Sequence, residues 1–189
     1  MKPGETKIIP PRGVQLNEIH HVCIVVRDAE DTATKFAEMG IGPFTVRMVE
    51  TPEERASVRG EPTSYTLKFA YAQAGPIVLE LVEPVQGHSH YSEFLDEYGE
   101  GIHHIGFKSP DQLDGELQRW QQEGIEPLQI NRREDTRYGW AYMDTEDLVG
   151  CTLEVVCDPP LGWWESKALA DDLDGPLQQS VSSEKEEHQ

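Results

Sequence analysis

The chain has 189 residues, 37% of them hydrophobic and 27% charged, enough for one well-cored domain or two small fused modules of a soluble globular protein. Its formal net charge of −19 argues against nucleic acid and against anionic membranes as partners, since that field repels both. No apolar run approaches a membrane span, and the opening MKPGETKIIPPRG lacks the apolar core of a secretory signal. Cys23, Cys151 and Cys157 are odd in number, form no CxxC and sit in apolar stretches. They read as reduced thiols serving as small hydrophobes in a cytoplasmic protein.

In chain order, residues 1–16 read as an extended N-terminal lead. Residues 19–27 are rich in Val and Ile and alternate, which predicts a strand. Asp28 is a plausible N-cap for a helix ending at Gly40. A strand over 43–50 follows. The polar, Pro- and Gly-bearing stretch 51–63 predicts a loop, and strands over 64–73 and 76–83 form a hairpin around Ala74-Gly75. This βαβββ module occupies 17–86, and a linking helix falls within 87–100. The second module, 101–159, repeats the order: a strand over 102–108, a helix over 111–123, and strands over 125–132, 137–144 and 151–157, with a loop at 145–150. Residues 160–189 form an acidic, Ser/Gln-rich tail expected to be mobile.

The duplication is written in the residues themselves. IHHVCIVVRD at 19–28 matches IHHIGFKSPD at 102–111, with the His pairs 83 positions apart. Gly40-Ile41-Gly42-Pro43 matches Gly124-Ile125-Glu126-Pro127, and VLELVEP at 78–84 matches TLEVVCDP at 152–159. The fold class expected is α+β: two paired βαβββ modules forming a curved, half-open barrel-like sheet around a metal site.

Strand alternation assigns the faces. Val22, Ile24 and Val26 pack on the helix layer while His21 faces away. Glu80, His104 and Glu154 oppose the packed rows of their own strands in the same way. If the sheet curls, all four converge. Two imidazoles and two carboxylates suit one divalent Mn, Co, Ni, Zn or Fe ion and argue against a structural zinc. A register slip of one residue would substitute His20 and His103. The plainer alternatives are satisfied core histidines and exposed carboxylates; the same residue types recurring at the same module positions favour the metal.

These residues resemble the vicinal oxygen chelate (glyoxalase/bleomycin resistance/dioxygenase) superfamily over about 17–158. LELVEP, then HYSEFLDEYGEG, then GIHHIGF look most like its methylmalonyl-CoA epimerase branch. The resemblance implies a metal held by His21, Glu80, His104 and Glu154. It also implies a second acid in the loop at 50–63, here Glu53 or Glu54, matched only through TPEE. The loop at 50–63 is longer than in the epimerases, and the acidic tail has no counterpart there.

The chemistry implied is abstraction of a proton beside a carbonyl, with the metal as Lewis acid and Glu154, Glu80, Glu53 or Glu54 as the acid–base groups. The expected function is a divalent-metal-dependent epimerase or isomerase working through an enolate on a small acyl-thioester or 2-oxo-type substrate. Alternatives on the same ligands are a glyoxalase I-like lyase acting on a hemithioacetal, an extradiol-type dioxygenase and a metal-free small-molecule binding protein. Arg55, Arg59, Arg137 and Trp140 are candidate substrate contacts, with ordinary surface charge or core packing as the bland reading of each. A homodimer is expected, because half-open sheets leave edges and apolar surface that need cover.

Overall fold

A computed structural model describes Val14, Leu16 and residues 18–134 and 136–158. Most of the N-terminal lead and all of the acidic tail lie outside these residues. The first half contains β1 (Ile19–Val25), α1 (Ala29–Glu38), β2 (Thr45–Thr51), a 3-10 turn (Glu53–Arg55), β3 (Ala56–Val58), β4 (Glu61–Pro62), β5 (Tyr65–Ala74) and β6 (Ile77–Gly87). After α2 (His90–Tyr98) come β7 (Gly101–Ser109), α3 (Leu113–Gln122), β8 (Pro127–Arg132), β9 (Gly139–Met143), α4 (Glu146–Val149) and β10 (Thr152–Cys157).

The strands form one ten-stranded sheet in the order β2-β5-β6-β1-β7-β10-β9-β8-β3-β4. The two halves mirror each other about the antiparallel β1–β7 pair, with β6 parallel to β1 and β10 parallel to β7. The paired βαβββ reading therefore describes the architecture.

Each half carries its helix on the outer face for the same physical reason. In α1, Ala29, Ala33 and Phe36 recur at i, i+4 and i+7 and pack on Ala70 and Leu81. In α3, Leu113, Leu117 and Trp120 recur identically and pack on Ala141, Val155 and Cys157. The Asp28 side chain caps α1 by accepting from the Asp31 amide at 2.9 Å. Helix α2 begins with a Ser89/Ser92 capping box.

The stretch 51–63, expected as a loop, is instead structured. Its 3-10 turn, β3 and β4 leave the β2 edge and join the opposite edge of the sheet, where Ala56, Ser57 and Val58 pair with Asn131, Ile130 and Gln129. Only residues 52–55 separate β2 from β3. At most roughly 3.6 Å per residue, the two ends of the sheet lie within about 18 Å of each other, so the sheet curls into a cup. A shared interior confirms this. Cys23, Val25, Ala56, Tyr65, Leu67, Val82, Tyr91 and Tyr142 come from both ends of the strand order and form one cluster. The stretch 145–150, also expected as a loop, contains the single helical turn α4.

At the base of the cup a buried polar network ties the ends together. The Tyr65 hydroxyl donates to Asn131 Oδ1 and accepts from Gln129 Nε2 at 3.2 Å. The Gln129 Oε1 atom in turn accepts from the His90 amide at 2.7 Å. Tyr91 of α2 stacks on His103 with ring centroids 4.8 Å apart, so α2 packs against the interior.

Candidate metal centre

Four strands bring His21 (β1), Glu80 (β6), His104 (β7) and Glu154 (β10) to one point in the cup, each at most 6% exposed. His21 Nε2 lies 2.8 Å from His104 Nε2, 2.8 Å from Glu154 Oε2 and 3.7 Å from Glu80 Oε2. His104 Nε2 lies 3.3 Å from Glu154 Oε2. Donors bound about 2.0–2.2 Å from one ion at right or tetrahedral angles stand about 2.8–3.6 Å apart, so the spacings among His21, His104 and Glu154 match a shared centre, with Glu80 just outside that range at its edge. The buried Glu154 Oε2 makes no hydrogen bond of good geometry despite two close imidazole nitrogens, as befits donors arranged around a common point. The nitrogen and oxygen donor set fits a divalent ion.

The paired histidines are explained by the sheet register. Along β1–β7, Ile19 pairs with Phe107 and His21 with Gly106; Cys23 pairs with His104 and Ile24 with Ile102. His20 and His103 are thus the extra residues of two bulges. A bulge lets two consecutive side chains escape strict alternation, which is why all four histidines are buried.

In each pair the partner histidine holds the other through Nδ1: His20 to His21 at 2.8 Å and His103 to His104 at 2.7 Å. This leaves both Nε2 atoms directed to the centre. It asks the His21 and His104 Nδ1–H groups to donate to neutral partners. Burial, reinforced by the adjacent His21, lowers the pKa of His20 to about 3. Burial and His104 likewise hold His103 well below the usual imidazole range.

The electrostatics of the quartet are uneven. Burial alone would depress His21, but Glu154 and Glu80 outweigh it and push its pKa up to about 9. Burial would raise Glu154, but His21 and His104 hold it below the usual carboxylate range. For Glu80 burial wins and its carboxyl is raised. Cys23 lies beside it: Cys23, Glu80 and His104 offer donor atoms within 4.8 Å of one another, as do His21, His104 and Glu154. Gly106 is required locally, because a Cβ there would stand 2.2 Å from His21 Cε1.

The chamber around the quartet, about 70 Å³, is walled by Val49, Leu67, Phe69, Trp140 and Val156. It adjoins an outer chamber of about 500 Å³ that includes Arg55 and Arg133. Trp140 lines both, so two of the four expected substrate contacts, Arg55 and Trp140, are at the cavity. The other two are not among its lining residues. Arg59 forms an ion pair with Glu93 of α2, with Nη1 2.7 Å from Oε1, and Arg137 lies over the Tyr138 ring at 5.6 Å. Glu53 and Glu54 are exposed on the 3-10 turn and line neither chamber, because that turn presents Arg55 to the outer one. Strand alternation therefore reveals only part of the centre's design: it points to His20 and His103 only as substitutes for His21 and His104, and to Cys23 only as a small hydrophobe, not to their supporting positions. The available signal was two consecutive polar residues inside an otherwise alternating strand.

Among known proteins, residues 20–142 match the family profile described as the Glyoxalase/Bleomycin resistance protein/Dioxygenase superfamily. A curated relative, the uncharacterized protein YqjC of Bacillus subtilis, is 32% identical over 92 residues, covering 49% of this chain and 57% of its own length. The chain thus spans little more than half of that relative. Among solved structures, a methylmalonyl-CoA epimerase of Streptomyces coelicolor in complex with 2-nitronate-propionyl-CoA is similar at 23% identity and a TM-score of 0.57, covering 77% of this chain and 97% of that one. The methylmalonyl-CoA epimerase of Mycobacterium tuberculosis is similar at 19% identity and a TM-score of 0.53, covering 80% and 94%. At these identities the likeness is one of fold.

Proposed function

For a chain that belongs to the glyoxalase/bleomycin resistance protein/dioxygenase superfamily, we propose a divalent-metal-dependent epimerase or isomerase that moves a proton at a carbon beside a carbonyl, acting on a small acyl-thioester or 2-oxo-type substrate. The observation that carries this reading is the convergence of two histidines and two glutamates from four strands in a buried chamber, with His21 2.8–3.7 Å from each of the other three. Their donors would hold the ion. When bound, such an ion supplies electrophilic stabilisation of negative charge developing on an oxygen next to the reacting carbon.

The chain's own groups account for the remaining steps. Glu80, when not engaged on the ion, is our assigned proton acceptor. It stands farther from His21 than Glu154 does, and burial raises its carboxyl toward the range where a general base can both take and return a proton. Glu154 is the tighter anchor, sharing both imidazoles. The apolar wall of Val49, Leu67, Phe69 and Val156 excludes water from the reacting carbon. Neither exposed acid of the 3-10 turn takes part in this scheme.

The test is metal analysis of the loaded protein, followed by incubation in deuterium oxide with a panel of 2-methyl acyl-thioesters. One ion per chain and deuterium at C2 are expected, with both lost in His104→Ala. A panel without label, accompanied by turnover of a hemithioacetal, would replace this reading with the lyase. Oxygen uptake with an aromatic diol would replace it with the dioxygenase.

A further inference from the structure

The outer chamber is anomalous for this chain. The protein has only 16 Lys and Arg against 35 Asp and Glu, yet Arg47, Arg55, Arg132 and Arg133 all line this one cavity, opposed there by Glu50 and Glu134. They arrive from separate elements, Arg47 from β2, Arg55 from the 3-10 turn, and Arg132 and Arg133 from the end of β8 and the residue after it. The strap from β2 to β3 is what carries Arg55 across to face the other two.

Their engagements differ. Arg132 is paired with Asp114 at 2.6 Å, and Arg133 contacts Asp158 while lying over the Trp140 ring at 5.4 Å. Arg47 lies over the Tyr71 ring at 5.8 Å. Arg55, half-buried, makes no ion pair among the described residues. The chamber is also continuous with the quartet: Val49, Thr51, Phe69, Arg133 and Trp140 line both spaces. Arg133 is close enough for its charge to act on His20, the partner of His21. A molecule whose reacting end fills the inner chamber would pass an apolar neck formed by Val49, Phe69 and Trp140 and then meet guanidinium groups.

We propose that the outer chamber is a recognition subsite for an oxyanion, a carboxylate or phosphate, carried by the substrate at the end away from the His–Glu cluster, with Arg55 as its principal ligand and Arg47 and Arg133 flanking it. The substrate class is a bifunctional one: a small head that fits the inner chamber, an apolar neck, and an anionic group beyond it. A planar guanidinium fork matches either oxyanion in a bidentate manner. Concentrating such groups at the entrance lets a −19 chain accept an anion that its overall field repels. This inference rests on the proposed reaction only for which end of the substrate reacts.

The test is calorimetric titration of the full chain with inorganic phosphate, succinate and coenzyme A, in the presence of metal and after its removal by chelation. At least one probe is expected to bind, more weakly as salt is raised. Arg55→Ala should weaken it at least tenfold, and Arg55→Lys, which keeps the charge and loses the fork, by less. Arg59→Ala, on an arginine held by Glu93 outside the chamber, should bind as the unaltered chain does. Succinate or phosphate binding places the oxyanion on a short substrate, whereas binding of coenzyme A alone places it on the nucleotide phosphates; either supports the subsite. Failure of all three probes, or equal binding by Arg55→Ala and Arg55→Lys and the unaltered chain, would overturn it. Binding that persists in His104→Ala, together with an unlabelled thioester panel, would leave the subsite standing and remove only the proposed reaction.

Discussion

Gly106 shows how narrowly the centre is specified at the level of single residues. It pairs with His21 across β1–β7, and the His21 ring lies against the space a side chain would take. Gly106→Ala is therefore expected to displace the ring and lower metal affinity by roughly 10–100-fold, the range seen when the support of a ligand is lost, measured by competition with a chelating dye. In the other half the equivalent position is Cys23, which pairs with His104 and has its thiol beside Glu80. The thiols give a second check. Cys23 and Cys157 are fully buried, burial pushes Cys157 up to about 12, and Cys151 is partly exposed. A higher pKa means less thiolate at neutral pH, so iodoacetamide should label Cys151 first and Cys157 only on unfolding. The four proposed ligands are legible in the sequence because period-two alternation turns each away from an apolar row. His20 and His103 could be read only as substitutes for the ligands, not as their supports, because a bulge suspends that alternation, and its cause lies in the pairing of two strands 83 residues apart rather than in either strand alone.

At the scale of elements, helices α1 and α3 and all eight strands of the two modules follow from apolar spacing, to within a few residues at their ends. The strap did not. Its strands β3 and β4 are three and two residues long, interrupted by Gly60 and containing Pro62, too short to show a period. What makes them strands is the open edge of β8, a tertiary fact. The network beneath the strap should matter accordingly. Tyr65→Phe removes the hydroxyl that serves both Asn131 and Gln129, leaving buried amide groups short of a partner. A loss of about 1–3 kcal/mol in unfolding free energy is expected, measured by urea denaturation, with no loss of bound metal if the ligands keep their places.

For the whole molecule, none of the described helices is long and apolar enough to cross a membrane. The homodimer expected from the sequence stands as a proposal. The sheet still has two edge strands, and β2 turns Val46 and Met48 outward at 43% and 54% exposure, the kind of edge that proteins cover. Light scattering should give twice the mass of one chain, with the metal quartet contributed within each copy; a monomer would remove the proposal. The strap has one further meaning, for inheritance. It is encoded in the first half of the gene but completes the second half of the sheet, so the two copies are no longer interchangeable units. A fragment ending near residue 87 would carry a ribbon with nothing to join, and one beginning near residue 100 would present β8 bare. Each should remain unfolded or aggregate by itself, and the two should recover structure only on mixing. On that expectation the two repeats form a single heritable unit that recombination cannot split between them without loss.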